Sequence, residues 1–146
     1  MTNSRGMRRL LSVLEAQEDW YSAQMEAALA DLKRLQLALE TAAHRERQGR
    51  RLIGASALSG ELAERLVGLE ETRGGRSQAE VLKPQMVSAE AKARARRQEF
   101  LSKRSERRKV EEAMKRAEAI ETRNADHASQ RMVDDLYLNR LRQDKR

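Results

Sequence analysis

The chain contains no cysteine, which excludes disulfides and thiolate metal sites. Proline is nearly absent: Pro84 is the only one in 146 residues, so long stretches lack the strongest helix breaker. Aromatic residues make up 3%, with one Trp, two Tyr and one Phe. A compact globular core needs more large apolar side chains than that. No run approaches the ~18 apolar residues of a membrane span, so no membrane insertion is expected. The opening MTNSRGMRRLLSVLEAQEDW lacks the apolar centre of about 7–15 residues that a signal peptide carries, and the expectation is a cytoplasmic protein.

What is present is charge and helix-forming residues. Charged residues make up 36% of the chain and hydrophobic ones 39%, with Ala, Glu, Lys, Leu and Arg prominent. That profile favours long helices or a coiled coil, hence an all-α chain. The net charge of +7 points to an anionic partner surface: nucleic acid, lipid head groups or an acidic protein.

A heptad read from Leu11 puts Leu11, Leu14, Glu18, Tyr21, Met25, Ala28, Leu32, Leu35, Leu39 and Ala42 on one stripe. Only Glu18 is polar, and a 3-4 spacing held this long is a coiled-coil signal. Neither Pro nor Gly interrupts Arg8 to Gln48. A first helix over about 7–48 follows, roughly 60 Å long at ~1.5 Å per residue, and its stripe needs a partner helix. Tyr21 falls in the seam, and Trp20 beside it reads as a packing residue.

The middle, about 49–84, changes character. Gly49, Gly54, Gly60, Gly68, Gly74 and Gly75 predict a break near Gly49–Gly60. A short helix from about Glu61 to Thr72 follows, with Leu58, Leu62, Leu66 and Leu69 as its apolar stripe. Gly74-Gly75 would stop it, and SQAE at Ser77–Glu80 fits a capping box for the next helix. Pro84 implies either a kink or a start near Lys83. A second long helix over about 85–143 carries small apolar residues, then larger ones such as Phe100, Val110, Met114, Ile120, Met132, Val133, Leu136, Leu138 and Leu141. Two long helices about an irregular middle imply one domain, a long antiparallel two-helix coiled-coil hairpin. Parallel self-association of the first helix is the alternative. Pairing Leu11 with Leu138 would set Leu32 against Ala117, Leu35 against Met114, Leu39 against Val110, and Glu18 against Arg131.

Little in the sequence supports catalysis. His44 and His127 have no HxxxH or HExxH partner and read as surface histidines. GASALSG lacks the GK[ST] ending of a phosphate-binding loop. The paired acids Glu70-Glu71, Glu111-Glu112 and Asp134-Asp135 sit on helices with no cleft to raise one carboxyl's pKa. No cofactor is expected. The basic run Ala91–Glu118 could follow a phosphate backbone, but Phe100 is its only aromatic platform and no nucleic-acid-binding signature is present. No nucleic acid is expected as a partner. Such a run reads as a solvated face with partial i,i+4 pairing, such as Glu112 with Arg116.

Near the end, SQRMVDDLYLNR places Gln130, Asp134 and Asp135 in a Q-x-x-x-D-[DE] pattern, with Val133 before the acids and Leu136 after them. This resembles the C-terminal signature of the central-stalk proteins of type III secretion, the flagellar FliJ-like and injectisome YscO-like family. The start, MRRLLSVLEAQEDWYSAQMEAALADL, is similar to that family's N-terminal helix, and the length, the absence of Cys and the basic charge also resemble it. The middle departs from flagellar members, which often carry aromatics where this chain has none between Tyr21 and Phe100. The resemblance implies a non-enzymatic two-helix stalk at the inner face of a membrane-bound export apparatus. Its end with both termini would enter a hexameric export ATPase, and its hairpin end would face a membrane export gate protein. Some members also bind export chaperones. On this chain the resemblance assigns ATPase docking to Arg8, Arg9, Gln130, Arg131, Asp134, Asp135 and Arg140. It assigns the gate-facing tip to Leu58, Leu62, Leu66 and Leu69. A flagellum and an injectisome are not distinguished. A generic structural coiled-coil adaptor is the alternative, and a basic nucleic-acid-associated protein a more distant one.

Overall fold

The structure, a computed structural model, describes the backbone of residues 2–146 and the side chains of residues 4–146. Two helices account for nearly all of it: α1, Thr2–Ser59, and α2, Leu62–Asp144. They pack against each other as an all-α helical hairpin, with no strand among the described residues. The break expected near Gly49–Gly60 shrinks to a turn at Gly60–Glu61, and the irregular middle is absent. Both helices run straight through the segment expected to interrupt them.

The turn is built locally. Gly60 has φ +72°, and its N–H donates to the Ser56 carbonyl at 2.8 Å, the left-handed C-cap that favours glycine. The Ser59 hydroxyl accepts from the Glu61 N–H at 3.3 Å and donates to Glu64 at 3.4 Å, capping the start of α2. The capping box predicted at Ser77–Glu80 lies inside α2 and caps nothing. Pro84 lies inside α2 as well, so helix two does not start near Lys83. Pro84 is exposed, which leaves water to satisfy the carbonyl it cannot bond.

Contacts divide the chain into two units. In the unit spanning 19–101, facing residues have numbers that add to about 121, as the turn at Gly60–Glu61 requires. Gly49 lies beside Thr72, Ile53 beside Gly68, and Glu46 beside Gly75. Gly49, Gly68 and Gly75, expected to break the helices, are where the helices touch. A Cβ on Gly49 would lie 2.5 Å from the Thr72 backbone nitrogen, and one on Gly75 would lie 2.7 Å from the Ala42 carbonyl. Ala28, Ala42, Ala93 and Ser56 are the other buried residues of this seam. Large side chains stay half-exposed because a single pair of helices has no third layer to cover them.

All ten heptad positions from Leu11 to Ala42 are buried or half-buried. The same 3-4 spacing continues through Glu46, Gly49, Ile53 and Ser56, all covered. An apolarity test ends the seam at Ala42, whereas small and paired polar residues carry it to the turn.

In the unit formed by 1–18 and 102–146, Glu18 does not meet Arg131. Glu18 accepts a charge-assisted hydrogen bond from Arg107, which also reaches Glu111 at 2.6 Å. The register built on Leu11 and Leu138 is therefore wrong by several turns. It placed the hairpin's centre in the middle of a long irregular segment, and the real turn comes earlier. Since α2 has 83 residues and α1 has 58, the difference of 25 leaves the C-terminal part of α2 without a partner.

Candidate functional site: the unpaired end of α2

On α2 the seam positions Phe100, Lys103, Arg107, Val110, Met114 and Ala117 are covered at 3-4 spacing. The next positions in phase are Glu121, Asn124, Ala128 and Arg131. The stripe turns polar opposite the first residues of α1. From Glu118 to Asp144 every residue is exposed, about 40 Å of helix, and beyond about Asn124 α1 no longer runs beside it. Arg8 and Glu118, 3.9 Å apart, form the ion pair between the helices nearest the chain ends among the described residues.

A new apolar face then starts, out of phase with the seam. Met132, Val133, Leu136, Tyr137 and Leu141 recur at i, i+1, i+4, i+5 and i+9, and each is exposed, Met132 to 68% and Tyr137 to 63%. Sequence reading took the Met, Val and Leu residues of this stretch for seam anchors. The signal that separates them is the change of phase after Ala117, with no large apolar side chain from Glu121 to Arg131. A shallow hollow runs along this face between Val133, Leu136, Tyr137, Arg140 and Gln143.

The Q-x-x-x-D-D residues sit on this unpaired helix. Gln130 Nε2 donates to Asp134 Oδ1 at 3.1 Å, one turn along, so the amide fixes the carboxylate's position. Asp134, Asp135, Arg131 and Arg140 are all exposed. Arg8 and Arg9 are not gathered with them. Arg8 is opposite Glu118, and Gln130 lies 12 residues further along α2, roughly 18 Å away. The proposed docking set thus divides into a basic pair on α1 and a mixed cluster on the free end of α2.

At the turn, Leu58 is 94% exposed, with Leu62, Leu66 and Leu69 also uncovered. Val67, which sequence reading passed over, joins this patch. Leu62, Leu66 and Leu69 lie on one face of α2's first turns, Leu58 lies at the end of α1, and the α2 seam there runs on Glu64, Gly68 and Gly75.

The other candidates resolve as surface. His44 and His127 are exposed. Trp20 packs edge-on against half-buried Tyr21, with centroids 5.0 Å apart at 89°. Within Ala91–Glu118, Arg96–Glu99, Lys103–Glu106, Lys115–Glu111 and Arg116–Glu112 pair along the helix. This supports the reading of a solvated, partly neutralised face. Arg8, Arg45, Arg76 and Arg107 each pair with a glutamate of the other helix. The hydrogen bond to Glu18 raises the Arg107 guanidinium pKa above its ordinary value, and the bond to Glu71 does the same for Arg45. Among the described residues no group of His, Asp or Glu side chains could hold a metal ion, and no helix is long and apolar enough to cross a membrane.

Comparison with protein-family models, with curated proteins and with solved structures finds no match to this chain.

Proposed function

We propose that the chain is a non-enzymatic stalk protein of a type III export apparatus, at the cytoplasmic face of the membrane. In this reading the free end of α2 docks in a hexameric export ATPase. The leucine patch at the turn faces the membrane export gate protein. The reading starts from the resemblance of QRMVDD and is supported by the helical hairpin. The observation that carries it is the end of α2, Glu118–Asp144, exposed at every residue and bearing Gln130, Asp134 and Asp135. A helix inside a ring meets several subunits at once, so apolar residues on one face and charges of both signs on another suit asymmetric contacts. Export chaperones are further partners that the resemblance suggests. The chain acts on the ATPase and does no chemistry itself.

The test uses the full chain with a purified export ATPase at low salt. Asp134→Lys with Asp135→Lys leaves helicity unchanged, because both positions are exposed and Lys is at least as good a helix former as Asp. Stimulation of ATP hydrolysis falls several-fold to about a hundredfold, since each partly solvated contact contributes on the order of 1 kcal/mol. Arg47→Glu with Arg51→Glu, exposed in the other unit, changes stimulation much less. Arg50 is unsuitable as a control because it pairs with Glu46 at 2.8 Å. Unchanged stimulation at matched helicity rejects ring docking through QRMVDD. An ATPase indifferent to the intact chain favours a structural adaptor instead.

A further inference from the structure

The apolar face on the free end of α2 has no counterpart in the rest of the chain. It is out of phase with the hairpin seam, so α1 could not have covered it even if longer. We propose that a second copy of this chain covers it, with the two free α2 ends lying antiparallel and Val133 opposite Val133.

Three observations select this occupant and this direction. The first is length: the pairing of Arg8 with Glu118 sets Thr2, where α1 begins, opposite about Asn124, so the unpaired stretch is about 125–144 and Val133 lies near its middle. Antiparallel pairing about that residue covers 125–141, most of the stretch, on both copies. The second is size. The pairing sets Leu141 opposite Ala125 and Tyr137 opposite Ser129, so these two large side chains meet small ones, twice by symmetry, while Leu136 comes opposite Gln130. The third is charge. Arg140 and Asp126 lie on the same face and come opposite each other, again twice. A parallel pair would oppose Arg140 to Arg140 and Asp126 to Asp126, like against like.

The interface is short, about 24 Å of helix between Ala125 and Leu141, so the dimer is reversible and concentration-dependent. The proposal does not rest on the stalk reading. If that reading also holds, self-pairing hides the face next to the docking acids and competes with ring entry.

The absence of cysteine makes the test direct. Val133→Cys and Ala125→Cys each give a single thiol in the full chain. Oxidation with copper-phenanthroline and dioxygen, which takes up the two electrons released per disulfide, should link Val133→Cys chains into dimers. Ala125→Cys should stay unlinked, because the two copies of position 125 lie about 24 Å apart, far beyond the ~7 Å that a disulfide spans. In sedimentation, mass should double with concentration for the unmodified chain. Arg140→Glu should weaken association about tenfold, and Asp126→Arg with Arg140→Glu should restore it. Linkage of Ala125→Cys chains would show parallel pairing and overturn the proposal. Monomeric mass at every concentration would overturn it too and leave the face to a different protein. Doubling of mass without Val133→Cys linkage would place self-association elsewhere and would also count against it.

Discussion

Gly49, Gly68 and Gly75 have the same composition signature as Gly54, yet they do opposite work. A Cβ on Gly49 or Gly68 would lie 2.7 Å or less from the opposite helix's backbone, whereas one on Gly54 meets nothing within 4 Å. Gly54→Ala should therefore stabilise by about 1 kcal/mol, the helix-propensity gain. Gly49→Ala or Gly68→Ala should lose that gain and a further ~1–3 kcal/mol to overpacking, because backbone cannot step aside as a side chain can. Thermal unfolding followed by circular dichroism reads the sign directly. Gly60 also faces open space, but its positive φ makes Gly60→Ala destabilising by roughly 1–2 kcal/mol. The Glu18–Arg107 pair is another single-residue device. The two side chains are only 16% and 20% exposed, so either one alone leaves a largely covered charge. Glu18→Leu alone should lower the melting temperature, and Glu18→Leu with Arg107→Leu should recover most of the loss, as replaced ion pairs do. The raised Arg107 pKa contributes stability present at neutral pH and lost only as pH rises through that raised value. Between pH 6 and about pH 10 the Arg107 side of the pair should make stability no more pH-dependent.

Within one continuous helix, α2 contains two different kinds of segment. Residues up to Ala117 bury a seam, and those from Glu118 onward bury nothing. Tertiary packing, not propensity, supplies most helix stability, so the two should differ in local opening. Backbone amides of 123–144 should exchange with solvent orders of magnitude faster than those of 100–117, read by hydrogen exchange with mass spectrometry. Equal protection in dilute solution would mean the end is covered. The turn offers a second element-scale contrast. Leu62 and Leu66 lie on the exposed face of α2's start, so Leu62→Asp with Leu66→Asp should keep the hairpin folded. The same change should spare ATPase binding and impair gate coupling if the stalk reading holds. Loss of both functions in a folded protein would count against separate jobs for the two surfaces.

At the scale of the whole molecule, the hairpin is unequal. A helix of 58 residues folds against one of 83, and the excess is a helical arm. The proposed stalk function depends on that inequality, because an equal hairpin would present its two ends side by side. Deleting 121–146 should leave the paired part folded, with melting lowered little, since no seam residue lies beyond Ala117. If the stalk reading holds, it should also abolish ATPase stimulation.

The sequence by itself determined the fold class and one side of the seam. The heptad from Leu11 to Ala42 survives at every position because helical periodicity is local, set by 3.6 residues per turn. The turn's chemistry was legible in part, as Gly60 sits where the chain reverses. The exposed acids were legible too, because two adjacent carboxylates without a paired cation are too costly to bury. Register was decided only by tertiary structure. One glycine among several had to be the turn, and choosing it moves every facing pair, so Glu18 meets Arg107 and not Arg131. The glycines at 49, 68 and 75 read as breaks because propensity counts backbone entropy alone. In the folded chain, close approach of two backbones outweighs that cost. The apolar face of Met132, Val133, Leu136, Tyr137 and Leu141 looked like more seam, since a single sequence shows where apolar residues recur but not whether a partner helix reaches them.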